Sequence, residues 1–313
     1  MKHIQSIIAI CLAASMVLLS SCIGEDSDCA PVTREVTMLL RCDINTTGAD
    51  VFTMVVEYVD LYVYDDAGVL RQKTERLTKE QLSATNYIHK MTLDEGNYTL
   101  VAWMNASDEF EVSEIEELST ARLKLIPCEE GGVVKANTQP IYHGSRVLTV
   151  NPETGIVVIN MMKNTNYVNV TTNFNRTLPQ SVNLQAYITG TNGHYTFENN
   201  CPGGSPVYTY MPQPAKARAA YPFAFTTQRL MVDDDLRLVI IKQEAGKDDE
   251  QLADIALTPT IMRNPLYNEQ QDLDKHDTYQ LEFTLEHNGD EDTWAVVGIR
   301  VDDWTWSSSG TGL

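Results

Sequence analysis

"VVEYVDLYVYDDAGVL", residues 55–70, alternates along its length and then stops at a turn. Val55, Val59, Leu61 and Val63 share one face, opposite Tyr58, Asp60 and Tyr62. A period of two places alternate side chains on opposite sides of an extended chain, which is the signature of a strand. Asp65-Asp66-Ala67-Gly68 is turn chemistry, because short acidic side chains bond their own backbone and glycine admits positive φ. The stretch therefore predicts the first arm of a hairpin.

The same pattern recurs on both sides. In "REVTMLLRC" (34–42) Val36, Met38, Leu40 and Cys42 fall on one face, and in "EGNYTLVAWMN" (95–105) Tyr98, Leu100 and Ala102 do. Further strand patterns follow at 155–162, 166–174, 182–190, 236–243, 278–287 and 293–301. Turn signals separate them at Thr191-Asn192-Gly193, Ala245-Gly246-Lys247-Asp248 and Asn288-Gly289-Asp290. Helix is scarce. "TKEQLSA" opens with Thr78 and Gln81 in capping-box spacing, and "SEIEEL" with Ser113 and Glu116. Each predicts a helix of one or two turns. Regularly spaced short strands with turn signals predict an all-β sandwich protein. We place an N-terminal β-sandwich over 33–163 and a C-terminal one over 164–313. Residues 197–223, rich in proline and glycine, are expected to form a long loop in the second.

The N-terminus has a different grammar. Lys2 precedes an apolar run from Ile4 to Leu19, too short for the roughly 18 to 20 residues of a membrane span. Glu25, Asp26 and Asp28 follow, where a stop-transfer segment would be basic. Residues 1–21 read as an export signal. Leu19-Ser20-Ser21-Cys22 resembles the lipobox of bacterial lipoproteins, which implies cleavage before Cys22 and acylation of its sulfur and its new amine. Multiple acyl chains suffice for stable attachment. Residue 23 is Ile, where aspartate would suggest inner-membrane retention, and residues 22–32 form an acidic tether. The expected location is the outer membrane, lipid-anchored and surface-exposed.

The formal charge of −20 argues against nucleic acid, which requires basic patches. After removal of the signal, Cys29, Cys42, Cys128 and Cys201 remain in an oxidising compartment, and their spacing allows three pairings without selecting one. No cysteine or histidine pair has zinc spacing and no G-x-S-x-G nucleophile elbow occurs. Asp233-Asp234-Asp235 and Asp290-Glu291-Asp292 offer oxygens for calcium but lack EF-hand spacing. They read as solvated turns, and His143 beside Gly144 reads as a structural turn residue. No catalytic site, cofactor or metal is expected.

Several local patterns occur in one order: the lipobox with Cys29 close behind, "VDLYVYDDAGVL", "LDEGNYTLVAWMN", and "PIYHGSRVLTV" before a strand ending in Lys163-Asn164. This ordered set resembles the FimB-type family of fimbrial anchor lipoproteins of type V fimbriae, over most of residues 20–170. His143 stands where an aromatic is commoner, and Cys42 is foreign to the pattern. The resemblance implies two tandem transthyretin-like β-sandwich domains with short connecting helices. It also implies a structural role, holding a protein polymer on the outer membrane and limiting its length. The implied partners are fimbrial shaft subunits, bound by β-strand addition, and membrane lipid.

The C-terminal "WAVVGIRVDDWTW" bears on that role. Ala295, Val297, Ile299 and Val301 alternate on odd positions, and Trp304 and Trp306 on even ones. The phase slip at Asp302-Asp303 predicts a turn or bulge between two strand segments. Val297, Ile299, Val301, Trp304 and Trp306 are the candidate strand-exchange segment; the bland reading is a bulged last strand whose tryptophans cover an open sandwich end. Two other functions fit the sequence: a tip or minor shaft subunit, released by cleavage after Arg34 or Arg41, and a surface lipoprotein that binds glycans.

Overall fold

The structure is a computed structural model describing residues 31–213, 223–289 and 293–307. Among the described residues strands predominate, with four short α-helices: α1 (Phe52–Val55), α2 (Lys79–Ala84), α3 (Leu257–Ile261) and α4 (Gln270–Lys275). One sandwich faces a three-stranded sheet against a five-stranded one. The small sheet has the order β10 (Ile156–Asn160), β1 (Thr33–Arg41), β4 (Ile88–Asp94). β1 lies in its centre, parallel to β10 and antiparallel to β4. The larger sheet has the order β11 (Met162–Lys163), β9 (Tyr142–Val150), β5 (Gly96–Met104), β2 (Tyr58–Asp65), β3 (Leu70–Thr78). Between them lie Val36, Met38 and Leu40 of β1, Val59, Leu61 and Val63 of β2, and Leu100, Ala102 and Met104 of β5. These are the faces that the alternation in sequence predicts.

A second sandwich packs two five-stranded sheets. One runs β16 (Phe223–Gln228), β12 (Thr165–Phe174), β19 (Thr278–Asn288), β20 (Thr293–Val301), β21 (Trp304–Ser307). The other runs β18 (Glu250–Ala256), β17 (Arg237–Glu244), β13 (Val182–Gly190), β15 (Tyr208–Tyr210), β8 (Val133–Val134). A small third sheet, β14 (His194–Thr196), β7 (Arg122–Leu125), β6 (Phe110–Ser113), joins them. Strands early in the chain thus pair with late ones: β7 with β14, and β8 with β15.

The two bodies share more than these pairings. The second face of β2 and β5 carries Tyr62, Tyr64, Val101 and Trp103, and all four are buried in the core that contains Tyr195 and Phe197. Trp103 packs 4.6 Å from His143, 5.8 Å from Tyr195 and 6.1 Å from Phe197, measured between ring centroids. The central sheet of the first sandwich is therefore buried on both sides. His143 lies within β9 and not in a turn. Its Nε2 donates to the Phe197 carbonyl at 2.9 Å, and its ring fills the place of an aromatic side chain against Trp103.

A polar seam crosses the same region. The side-chain amides of Asn164 and Asn199 bond each other at 2.5 and 3.1 Å. Arg229 holds Asp274 through two bonds, of 2.8 and 2.9 Å, and donates a third to the Asn199 carbonyl. Buried groups of this kind need partners, and here they find them.

Two local expectations resolve differently. Thr78 and Gln81 form a reciprocal capping box on α2, as their spacing predicts. "SEIEEL" is not helical. Glu114 takes a positive φ of 54°, and the carbonyl of Glu116 accepts the Leu70 N–H while Leu118 donates to Gly68. The β2–β3 turn thus claims the backbone groups that a helix would need. Within 197–223, the stretch expected as loop includes β15, because Tyr208 and Tyr210 are buried beside β8 and β13.

Trp103→Ala should lower stability by about 3–5 kcal/mol, the usual cost of emptying a core aromatic site; chemical denaturation checks this. The buried His143 imidazole is pushed down from 6.5 to about 4 by desolvation. Between those pH values the unfolded chain binds a proton that the fold refuses, so this group's contribution falls as pH drops through that window. Burial acts oppositely on Asp234, whose carboxyl is raised to about 6. Comparison with His143→Phe isolates the histidine: the variant's stability relative to wild type should improve by about 3 kcal/mol from pH 7 to pH 4.

Candidate subunit interface

The C-terminal strands form a hairpin at one edge of the β16–β21 sheet. Val301 pairs with Trp304 and Ile299 with Trp306, so Asp302 and Asp303 make a two-residue turn, where the phase slip in sequence predicts one. Asp302 sits at φ 50°, a left-handed conformation that aspartate tolerates better than most residues. It is held on three sides. Its Oδ1 accepts the Gln280 N–H at 3.0 Å, its Oδ2 accepts the Tyr267 hydroxyl at 2.5 Å, and its own N–H donates to the Gln280 carbonyl. Asn264 Nδ2 adds a bond of 3.0 Å to the Val301 carbonyl.

This arrangement divides the candidate exchange segment in two. Val297, Ile299 and Val301 belong to β20, an interior strand between β19 and β21. Ile299 and Val301 are buried in the second core. Trp304 and Trp306 belong to the four-residue edge strand β21. The odd-numbered face also ends early. The register shifts between Thr284 and Leu285, whose partners are Gly298 and Val296, so Val297 is the extra residue of a bulge. Beyond the bulge, Trp294 and Val296 pack against the core in place of the odd positions. Trp294 meets Phe174 edge to face at 5.0 Å and His287 at 5.0 Å, and its backbone N–H donates to Glu250 Oε1 of β18. It closes that end of the second sandwich.

At the other terminus, Cys22 and Cys29 lie outside the described residues. β1 begins at Thr33 and is built into the first core. Arg34 is paired with Glu95 at 2.6 Å. Arg41 lies 3.5 Å from both Asp43 and Asp50, and its carbonyl accepts the Met161 N–H. Burial and the two aspartates push the Cys42 thiol up to about 12, and burial raises Cys201 to about 12. Cys42, Cys128 and Cys201 are unbridged among the described residues.

The acidic triad 233–235 serves the fold. Asp234 accepts from the N–H groups of Met231 and Leu236 and from the Thr258 hydroxyl, and Asp235 accepts from Thr191. Asp290-Glu291-Asp292 lies outside the described residues. Beside the triad is a groove of about 670 Å³, lined by Asn192, Cys201, Ser205, Asp235 and Gln270 but by no aromatic ring. One contact there was not legible in sequence: Ser205 Oγ lies 3.1 Å from His194 Nδ1. The same hydroxyl lies 2.6 Å from the Pro202 carbonyl, which accepts its proton, so the serine has a hydrogen-bond partner besides the imidazole.

The profile of the fimbrillin-A associated anchor proteins Mfa1 and Mfa2 matches residues 25–310. The chain belongs to this family. Among solved structures, the family fold is shared with a provisionally assigned polysaccharide-binding protein of Bacteroides thetaiotaomicron. That pair has 24% identity and a TM-score of 0.75, covering 88% of this chain and 98% of that one. It is shared equally with the fimbrial anchor protein Mfa2 from Porphyromonas gingivalis, at 18% identity and TM-score 0.72, covering 89% and 100%. A provisionally assigned adhesin of B. thetaiotaomicron matches at 22% identity and TM-score 0.70, covering 89% and 99%. No curated protein sequence matches this anchor-family chain significantly. The family is one of structural surface proteins associated with fimbriae. Among the described residues, no helix is long and apolar enough to cross a membrane.

Asp302→Ala should destabilise the chain by about 2–3 kcal/mol, because it strips the Gln280 N–H and the Tyr267 hydroxyl of their acceptor. Amide exchange at 304–307 should accelerate while exchange in β1 stays unchanged; equal acceleration in both would show that the clamp is not local.

Proposed function

We propose that this protein is the anchor of a fimbria, held on the outer membrane by an acylated Cys22 and carrying shaft subunits on its two-sandwich body. The observation that carries the reading is the standing of β1. It follows directly on the acidic tether 22–32, and it runs through the middle of its sheet with Val36, Met38 and Leu40 buried. A lipid at Cys22 is joined to the fold by 11 residues, a reach of at most roughly 40 Å at about 3.6 Å per residue. Load on the lipid passes straight into β1 and, through it, to strands on both sides. The bodies are taken as residues 33–163 and 164–313.

Cleavage after Arg34 or Arg41 would sever this connection. A tip or shaft subunit gains from such a cut; an anchor loses its membrane. Arg34 is paired with β4 and Arg41 with β10, each on one edge of β1, and Arg41 lies between two aspartates. This protects the bonds in the folded chain, since a protease needs several residues of extended backbone free. Shaft subunits are taken to bind by strand addition, and the edge strand β21 is better suited than β20. Moving β21 breaks one ladder, whereas moving β20 breaks two and empties part of the core.

The test is the intact mass and N-terminus of the protein from outer-membrane fractions. The expected species begins at Cys22 with its acyl chains, and Cys22→Ala should shift the protein out of the membrane fraction and release fimbriae into the medium. A mature chain starting after Arg34 or Arg41 without lipid would replace the anchor reading with that of a polymer subunit.

A further inference from the structure

The outer face of the three-stranded sheet carries a row of apolar side chains. Ile88 of β4 pairs with Leu39 of β1, and Leu39 pairs with Val158 of β10. Ile156 stands two residues along β10 and is 67% exposed, and Val158 is 36% exposed. The row does not end at a polar rim. It ends at the outer edge of β10, which no described strand covers. β10 reads Ile-Val-Val-Ile-Asn, with no charge and no proline.

Beside that edge the other sheet is open too. β11 covers β9 only at Tyr142 and His143, leaving residues 144–150 without a described strand on that side. The two sheets converge at Gly144, where a Cβ would lie 2.8 Å from Ile159. From there they diverge around a groove of about 520 Å³ lined by Arg146, Leu148, Thr149, Ile156, Val158 and Asn160.

We propose that the open edge of β10 docks an extended strand from a fimbrial shaft subunit, with an apolar residue beside Val158 and a carboxylate at Arg146. This rests on the anchor reading above. Three observations select the occupant. An exposed strand edge presents unpaired N–H and C=O groups, which a polypeptide strand satisfies and a bilayer or glycan does not. The apolar row supplies the side-chain register, since the next strand continues it. The Arg146 guanidinium is exposed and has no side-chain hydrogen bond or ion pair among the described residues, although Glu153 lines the same groove, in a chain of formal charge −20. A free guanidinium on so acidic a body suits a partner carboxylate. A second copy of this chain fits less well, because it brings the same net charge of −20 to the contact.

The full mature, acylated protein in detergent is mixed with fimbriae sheared from the same cells, and two things are read: binding, and amide exchange across 156–160. In the complex, exchange at 156–160 should slow at least tenfold. Ile156→Lys, at an exposed outward position, should weaken binding tenfold or more without changing the melting temperature. Arg146→Glu should weaken it separately, and more at low salt than at high salt. If wild type binds but both variants bind equally well and 156–160 exchanges freely, docking lies elsewhere; the inference falls and the anchor reading stands. Should wild type itself bind no fimbriae, both fall. Slowed exchange in the protein alone at high concentration, abolished by Ile156→Lys, would make the edge a self-association surface and overturn the proposal. Binding of unacylated Cys22→Ala protein to anionic vesicles through the same edge would do so equally.

Discussion

Trp103 projects from β5 into the seam between the sandwiches, where it meets His143, Tyr195 and Phe197. That contact makes the β2–β5–β9 layer an interior sheet. A sheet with one wet face would leave the second sandwich hanging from residues 163–165. A sheet buried on both faces welds it on, and the pairings of β7 with β14 and β8 with β15 close the weld with backbone hydrogen bonds. A continuous body of this sort suits the proposed anchor role, in which force would pass from a polymer to a lipid.

The seam is also where polar groups are buried. Asn164, Asn199, Arg229 and Asp274 satisfy one another at close range. Such networks add little net stability, since the desolvation of the ions offsets much of their attraction. Their bonds are directional, however, and an apolar seam could slide where this one has a single register. His143 belongs to the same logic. An imidazole fills the space of an aromatic ring and adds one hydrogen bond to Phe197, at the cost of a site that resists protonation.

Much of this was legible in the sequence, and what was not has a physical cause. Alternation in 34–42, 55–63 and 95–105 identifies the core face of β1, β2 and β5 correctly, because burial on one face leaves a period of two. It says nothing of Tyr62 and Trp103, whose covering comes from Tyr195 and Phe197, far along the chain. The capping box at Thr78 is local and was readable; the similar spacing at Ser113 was overridden by backbone bonds to the distant 68–70 turn. In the C-terminal segment the turn at Asp302-Asp303 shows in the phase of the apolar residues. The bulge at Val297 does not, since one inserted residue in a run of Ala, Val, Val and Gly leaves the pattern ambiguous. The contact of Ser205 with His194 left no signal, because it joins two loop-flanking residues with no motif between them.

How the strand edges are protected differs around the molecule. β3 carries Arg71, Lys73, Glu75 and Arg76, each in an ion pair. β18 is lined with Glu250 and Asp254, bound to Lys242 and Arg237. β4 has Lys90 paired with Glu35. β21 is only four residues long. All of these are recognised ways of keeping an edge from pairing with another chain. β10 has none of them. An uncharged, β-branched edge is a hazard that proteins ordinarily avoid, and its presence here is the feature that the proposed strand docking would use. The contrast also separates two open sheet edges: β21 is short enough to move, and β10 is fixed by its parallel ladder to β1. A body that receives strands needs a fixed template more than a mobile one, because register is read from side chains that must hold still while the incoming strand zips along them.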